Sequence, residues 1–206
     1  MGNERARQKK LAKHKKRRAE VRSLKQAASA PLPEMGAALA RRASDWPVTD
    51  CYLGHGWDET EVPALVTGVL VRRRPGGVAA VGLILVDRTC LGIKSGFLRV
   101  LDDAALRELL DGVAEAHDGI ERVELTTLQA IAFHALDLAH ALGFAPDRDF
   151  PLEFLGPRPA ELPLTPFARP DKPHYIAGPD DDSRRILAQL ERAVGAGNFH
   201  FTVAAD

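Results

Sequence analysis

Two stretches of the sequence concentrate side chains that could do chemistry. The first, Leu85 to Phe97, places Asp87 at the end of an apolar run and Lys94 beyond it, in a segment that also contains Cys90 and Gly92. Loops at strand ends expose side chains while the sheet fixes their positions, so we predict Asp87 and Lys94 as catalytic residues. The structural alternative is that Asp87 caps the turn and that Lys94 pairs with it or with solvent.

The second stretch, Gly178 to Asp182, has three consecutive aspartates directly before a predicted helix. Divalent cations prefer oxygen ligands, so Asp180 and Asp181 are predicted metal ligands, with Asp87 completing a nuclease-like site if it lies nearby. A divalent cation is the only cofactor for which we find candidate ligands in the sequence. The alternative is that Asp181 or Asp182 caps the helix, which requires no metal.

The histidines are less informative. His200 lies in the last predicted strand and could act as an acid or base, or simply face water. His134, Asp137 and His140 are spaced by three on a predicted helix and fall on one side of it, as in a metal site or a solvent-facing polar stripe. His55 lies in a glycine-flanked loop with no second residue to define a site.

The pattern of apolar residues predicts the elements that position these side chains. Alternating and continuous apolar runs predict strands at Val48 to Leu53, Ala64 to Arg73, Val78 to Asp87, Phe97 to Leu101 and Phe199 to Val203. The connector Pro75-Gly76-Gly77 predicts an antiparallel hairpin between the second and third of these strands.

Helical spacing of apolar residues predicts three helices after the main strands. The first begins at Asp102 or Asp103 and ends before Gly119, the second spans Thr127 to Leu142, and the third spans Asp182 to Val194. A further helix, Glu34 to Arg42, is predicted before the strands. The segment from Pro151 to Pro179 holds eight of the 14 prolines and is predicted to wrap over the body. The predicted fold class is α+β, an antiparallel sheet with a central hairpin, three or four packed helices and a basic N-terminal arm.

Charge is divided unevenly along the chain. The first 26 residues contain 11 basic and two acidic side chains, a formal charge of +9, whereas residues 27–206 contain 17 basic and 26 acidic side chains, or −9. We predict an arm over residues 1–30, disordered or a frayed helix when alone, and a single domain over 31–206. The arm's basic residues are Arg5, Arg7, Lys9, Lys10, Lys13, Lys15, Lys16, Arg17, Arg18, Arg22 and Lys25.

The charge division favours nucleic-acid binding by the arm, with RNA or the ribosome as a more natural partner than DNA. The alternative functions are a metal-dependent hydrolase that uses Asp87, Lys94, His200 and the acids Asp180 and Asp181, and a protein interaction module whose acidic body contacts a basic partner or its own arm. The sequence has no apolar run long enough to span a bilayer and too few cysteines for a disulfide scaffold, so we expect a cytoplasmic protein without a membrane partner.

Three blocks of sequence carry a resemblance. LVDRTCLGIKSGF (85–97), LGFAPDRDF (142–150) and DKPHYIAGPDDDSRRILAQLERAVGAGNFHF (171–201) occur in this order, and together they resemble an uncharacterised family of bacterial proteins without a known activity. The resemblance implies one domain in which the loop at Asp87 to Lys94 and the acidic turn belong to a single architecture. It does not extend to the basic arm.

Overall fold

Four consecutive strands form most of a five-stranded antiparallel sheet. The computed structural model describes residues 42–58, 65–74, 77–165, 171–178 and 181–203. The sheet has the order β4-β3-β2-β1-β5, and every neighbouring pair is antiparallel. Its strands are β1 (Val48–Gly54), β2 (Leu65–Arg73), β3 (Ala79–Asp87), β4 (Gly92–Leu101) and the short β5 (Ile120–Arg122). With the helices described below, this confirms the predicted α+β class.

The predicted hairpin is formed by β2 and β3. Their register runs from Leu65 opposite Asp87 to Arg73 opposite Ala79. The strand β3 lies between β2 and β4 and is buried along its whole length, as its two apolar faces predicted. Asp87 therefore lies at the end of a strand that is paired with a neighbouring strand on each side.

Alternating residues of the sheet pack against helices on its two faces. On β2, Val69 and Val71 join a core with Leu106, Leu109 and Val113 of helix α1 (Asp103–Ala116). On the opposite face, Val66 and Leu70 join a second core with Leu128, Ile131 and Ala135 of helix α2 (Leu125–Ala141). Because successive side chains of a strand point to opposite faces, the sheet forms a separate core with each helix.

Aromatic side chains pack directly against the backbone of β3 at Gly82. A Cβ atom built there would lie 2.8 Å from Cδ1 of Phe154 and 2.9 Å from Cε2 of Phe150. The two rings meet edge to face with centroids 6.3 Å apart, and Phe154 belongs to a short 3₁₀ helix, Leu152–Leu155. The absence of a side chain at Gly82 makes this close approach possible.

Aspartate side chains begin two of the helices, as predicted. Asp102 accepts hydrogen bonds from the backbone of Ala104 and Ala105 at the start of α1. Asp182 accepts one from the backbone of Arg185 at the start of α3 (Ser183–Val194). Each carboxylate satisfies amide groups that have no partner within the helix.

A second, two-stranded sheet lies outside the main one. The strand β6 (His174–Ala177) pairs in parallel with β7 (His200–Val203), in register from His174 opposite His200. The last predicted strand exists, but its partner β6 was not predicted, because it lies within the proline-rich segment. In that segment Phe154, Leu155 and Tyr175 are fully buried, in agreement with a chain that wraps over the body.

Two further differences concern strand and helix limits. The strand β4 begins at Gly92 instead of the predicted Phe97, because pairing with β3 overrides the low strand preference of its two glycines and Ser95. The helix predicted at Glu34 to Arg42, the basic arm and the domain boundary at residue 30 lie outside the described residues, apart from Arg42. No helix in the described ranges is both long and apolar enough to cross a membrane.

Candidate functional site

Asp87 organises the turn that joins β3 to β4. Its side chain is 2% exposed, and Oδ1 accepts hydrogen bonds from the backbone N–H of Thr89 at 2.9 Å and of Cys90 at 3.1 Å. The hydroxyl of Thr89 lies 2.7 Å from the same oxygen. Asp87 therefore caps the turn, which is the structural alternative given in the sequence analysis. The contacts with Thr89 and Cys90 all use Oδ1.

Lys94 contacts Asp181, whereas the structural alternative paired it with Asp87 or with solvent. Its Nζ donates to Oδ2 of Asp181, and the two side chains are 10% and 13% exposed. Asp181 Oδ2 also accepts from the hydroxyl of Tyr175 at 3.0 Å and from the backbone of Gly178 at 2.7 Å. The Tyr175 hydroxyl lies 2.9 Å from Oγ of Ser183. Lys94, Asp181, Tyr175 and Ser183 form one connected group, called the Lys94 network below.

The charges of the Lys94 network are balanced internally. Burial alone would raise the pKa of Asp181, but the positive charge of Lys94 and the hydrogen bonds from Lys94, Gly178 and Tyr175 outweigh it, so the pKa is lowered. The carboxylate is therefore ionised at neutral pH and neutralises the ammonium beside it. The ammonium also lies 5.6 Å from the centroid of the Tyr175 ring.

Cys90 is not set up as a nucleophile, although it lies among charged groups. Burial, together with the negative charge of Asp87, raises its pKa, and Lys94 only partly opposes that shift. Its side chain is fully buried. A thiol that stays protonated at neutral pH is a poor nucleophile. Asp87, Lys94 and Asp181 all act electrostatically on Cys90, so the structure brings these three predicted site residues into one neighbourhood.

Thr89 joins that turn to the second sheet. Its hydroxyl lies 2.9 Å from the carbonyl oxygen of His174, and its own carbonyl accepts from the His174 backbone N–H at 3.2 Å. Around this junction, Cys90 and Leu91 pack with Tyr175 and with Leu190 of α3 in a small separate core. The turn, β6 and α3 therefore form one packed unit, although they come from distant parts of the sequence.

His200 lies apart from the Lys94 network. Its ring meets that of His174 at a centroid distance of 5.8 Å, whereas the next pair in register, Tyr175 and Phe201, stack at 5.5 Å. Because successive side chains of a strand point to opposite faces, His200 faces away from Tyr175. The structure therefore does not bring His200 to Lys94 and Asp181.

The predicted metal site lies only partly within the described residues. No group of three or more His, Cys, Asp or Glu side chains there could hold an ion. Asp180 lies outside the described residues, so its role stays a prediction, and Oδ2 of Asp181 already accepts three hydrogen bonds. On α2, Asp137 forms a two-point ion pair with Arg158, which accounts for one member of the His134, Asp137 and His140 series.

A cluster around Glu121 was not anticipated from the sequence. One carboxylate oxygen lies 2.9 Å from Nδ1 of His55, and the other accepts from Nε1 of Trp57 at 2.8 Å. The backbone oxygen of Trp57 accepts from Arg88 at 2.6 Å, and burial lowers the pKa of Arg88 to about 10. The strand β5 that carries Glu121 has only three residues and gives no recognisable pattern.

The described part of the body is acidic, and its cations are largely engaged within the fold. It contains 15 basic and 21 acidic side chains, a formal charge of −6. At least nine of those 15 donate to carboxylates, backbone carbonyls or a side-chain amide of the same chain. They are Arg72, Arg73, Arg88, Lys94, Arg99, Arg122, Arg158, Lys172 and Arg192.

Comparison with known proteins gives no relative. No family model matches the chain, and neither a curated protein nor a solved structure is significantly similar to it. The resemblance noted from the three sequence blocks therefore stays a prediction.

Proposed function

We propose that the protein binds nucleic acid, RNA in preference to DNA, through the eleven Lys and Arg side chains between Arg5 and Lys25. The observation that carries the proposal is the division of charge, +9 in the first 26 residues against −9 in the remainder. Each cation that neutralises a phosphate releases a condensed counterion, which favours binding without reading the base sequence. A cytoplasmic location, where RNA is abundant, is part of the proposal.

The chemistry of the body supports the arm as the contact. Its described residues are net negative and would repel a phosphate backbone. Most of its described Lys and Arg side chains also form hydrogen bonds or ion pairs within the fold, for example Arg73 with Asp103 and Arg122 with Asp50. The Lys94–Asp181 ion pair is neutral overall and largely buried, so it offers little charge to a polyanion. The arm is the one part of the sequence with a large excess of positive charge.

The test is a binding titration in a salt series. A fluorescent 20-nucleotide poly(U) RNA and a 20-base-pair DNA duplex are titrated with the intact chain, with a chain lacking residues 1–26, and with a chain in which the order of residues 3–26 is scrambled. The scrambled arm keeps the charge of +9 and is the matched control.

We expect the intact and scrambled chains to bind RNA alike, because charge rather than sequence provides the contact. For a single strand, log K should fall with log salt concentration by about 0.7 per phosphate neutralised. Loss of residues 1–26 should reduce the affinity by at least tenfold. Unchanged binding after the deletion, or an affinity that does not depend on salt, would refute the proposal, and tighter binding to DNA would refute the preference for RNA.

A further inference from the structure

The outer face of α1 carries acidic side chains that the described fold leaves without a partner cation. Glu108, Asp111 and Glu115 are exposed, and no described Lys or Arg forms an ion pair with any of them. Their spacing of three and four residues places them within about 60° on one side of the helix. These three residues are called the α1 acidic face. By contrast, other acids of the body, such as Asp50 and Asp137, are paired.

The like charges on this face oppose one another. Glu108 and Asp111 are three residues apart, and Asp111 and Glu115 four apart, the spacings at which side chains on a helix are neighbours and like charges destabilise it. Within α1, four acidic side chains accompany one basic residue, Arg107. In α3 the ratio is reversed, with three arginines and one glutamate. A cationic segment is therefore attracted to α1 and repelled by α3.

The first described segment of the chain packs on the α2 face of the sheet, where Ala43 and Trp46 join the core of α2, and Arg73 links it to the start of α1. The backbone N–H of Arg73 donates to the carbonyl oxygen of Pro47 at 3.0 Å, and the guanidinium of Arg73 donates to Asp103, the first residue of α1, at 2.6 Å. Asp103 thus already accepts an arginine of the chain. The hydrogen bond and charge of Arg73 lower the pKa of Asp103.

The connection between the arm and the body is long enough to reach the α1 acidic face. Fifteen residues lie between Gln26 and Arg42, the first described residue. An extended chain of that length spans about 50 Å, whereas the 14 residues of α1 span about 21 Å. Tethering two segments of opposite charge at this distance gives an effective concentration in the millimolar range.

We infer that the basic arm docks on the α1 acidic face of its own chain and that RNA displaces it. The inference rests on the proposed function, since the same arm is the nucleic-acid contact. Docking raises the apparent Kd for RNA, because part of the arm's binding free energy is used within the molecule. The phosphates of RNA carry a higher density of charge than the α1 acidic face, so the arm binds RNA in preference to α1 when RNA is present.

The first test is zero-length carbodiimide crosslinking of the intact chain at low salt, read by mass spectrometry. The reagent activates a carboxylate, which an adjacent lysine amine attacks to form an amide. We expect amides between arm lysines, Lys9 to Lys25, and the residues Glu108, Asp111 and Glu115, and we expect them to disappear when poly(U) is added. Crosslinks spread over all exposed acids would overturn the inference.

The second test compares two variants of equal charge. Glu108→Gln, Asp111→Asn and Glu115→Gln together remove three charges from the α1 acidic face, and Glu153→Gln, Glu161→Gln and Asp171→Asn remove three from exposed positions elsewhere. We expect the first variant to bind poly(U) at least fivefold more tightly than the intact chain and the second less than twofold. Equal increases in poly(U) affinity would mean that the affinity depends only on the overall charge of the chain, and would overturn the inference.

The two ideas can fail separately. If poly(U) binding requires the arm but the crosslinks scatter, docking is wrong and the proposed function stands. If the crosslinks fall on the α1 acidic face but poly(U) neither binds nor removes them, the displacement by RNA is wrong, and the proposed function is wrong with it.

Discussion

Lys94 in β4 and Asp181 before α3 are 87 residues apart in the sequence and share a largely buried ion pair. The pair connects the edge strand of the five-stranded sheet to the segment between β6 and α3. Tyr175 and Gly178 add hydrogen bonds to the same carboxylate oxygen, so the ion pair has the additional donors that a buried charge needs.

Removing the lysine of this pair should be costly. Lys94→Met leaves Asp181 ionised, largely buried and without its countercharge, and we expect a loss of about 3 kcal/mol in the free energy of unfolding. Arg158→Met is the matched control, because its pair with Asp137 is 48% exposed on both sides and should contribute less than about 1 kcal/mol. Urea unfolding of both variants measures the difference, and similar losses would contradict the assignment.

The stability of the protein should fall in acid partly through Asp181. Because its pKa in the folded protein is lowered, ionised Asp181 contributes stability above its unfolded pKa of about 3.9, and this contribution is lost as the pH falls through the folded value. We expect the parent chain to be more stable than Asp181→Asn at pH 7 and the difference to shrink below about pH 4. Urea unfolding of both chains between pH 2.5 and 7 measures it, and a constant difference would show that Asp181 does not titrate in this way.

Asp87 can be tested as a turn cap with a matched pair of substitutions. Asp87→Ala leaves the buried N–H groups of Thr89 and Cys90 without their acceptor, and we expect a loss of about 2 to 3 kcal/mol. Asp87→Asn retains an acceptor oxygen and should lose about 1 kcal/mol. If both variants unfold at the same urea concentration, hydrogen bonding to Oδ1 is not what Asp87 contributes.

Gly82 should not accept a side chain. In Gly82→Ala, the new methyl group meets the rings of Phe154 and Phe150 at under 3 Å, and we expect a loss of about 1 to 3 kcal/mol. At Gly77 a Cβ atom has no neighbour within 4 Å, so Gly77→Ala should change stability by less than about 0.5 kcal/mol. Thermal unfolding of the two variants gives the comparison, and an unchanged Tm for Gly82→Ala would disprove the close packing.

The parts of the fold that were predicted depend on neighbours in the sequence. The β2-β3 hairpin follows from two apolar runs and a short connector, and the helix starts at Asp102 and Asp182 follow from local capping. The direct pairing of Lys94 with Asp181 was not predicted, because Asp181 becomes its neighbour only after distant segments pack together. The strand β6 was missed for the same reason: its partner β7 is 26 residues further along, and prolines surround it.

The candidate site shows the same limit. Asp87, Lys94 and Asp181 were identified by residue type, and the structure brings them near Cys90. Tyr175 and Ser183 complete the Lys94 network, but neither lies in a pattern that separates them from ordinary core and helix-start residues. His200 was predicted beside Asp87 and Lys94. The structure turns it towards His174 instead, through a parallel strand pairing that is a long-range feature.

The parallel pairing of β6 and β7 also leads to an expectation about the order in which the molecule assembles. Strands β1 to β4 pair with the next strand in the sequence, so the entropy lost in closing their loops is small and they can form early. The second sheet packs on the turn at Thr89, 85 residues before His174. We expect it to form a separate cooperative unit that docks last on folding and opens first in the native state, so that its amides exchange with solvent hydrogen before those of β2 and β3.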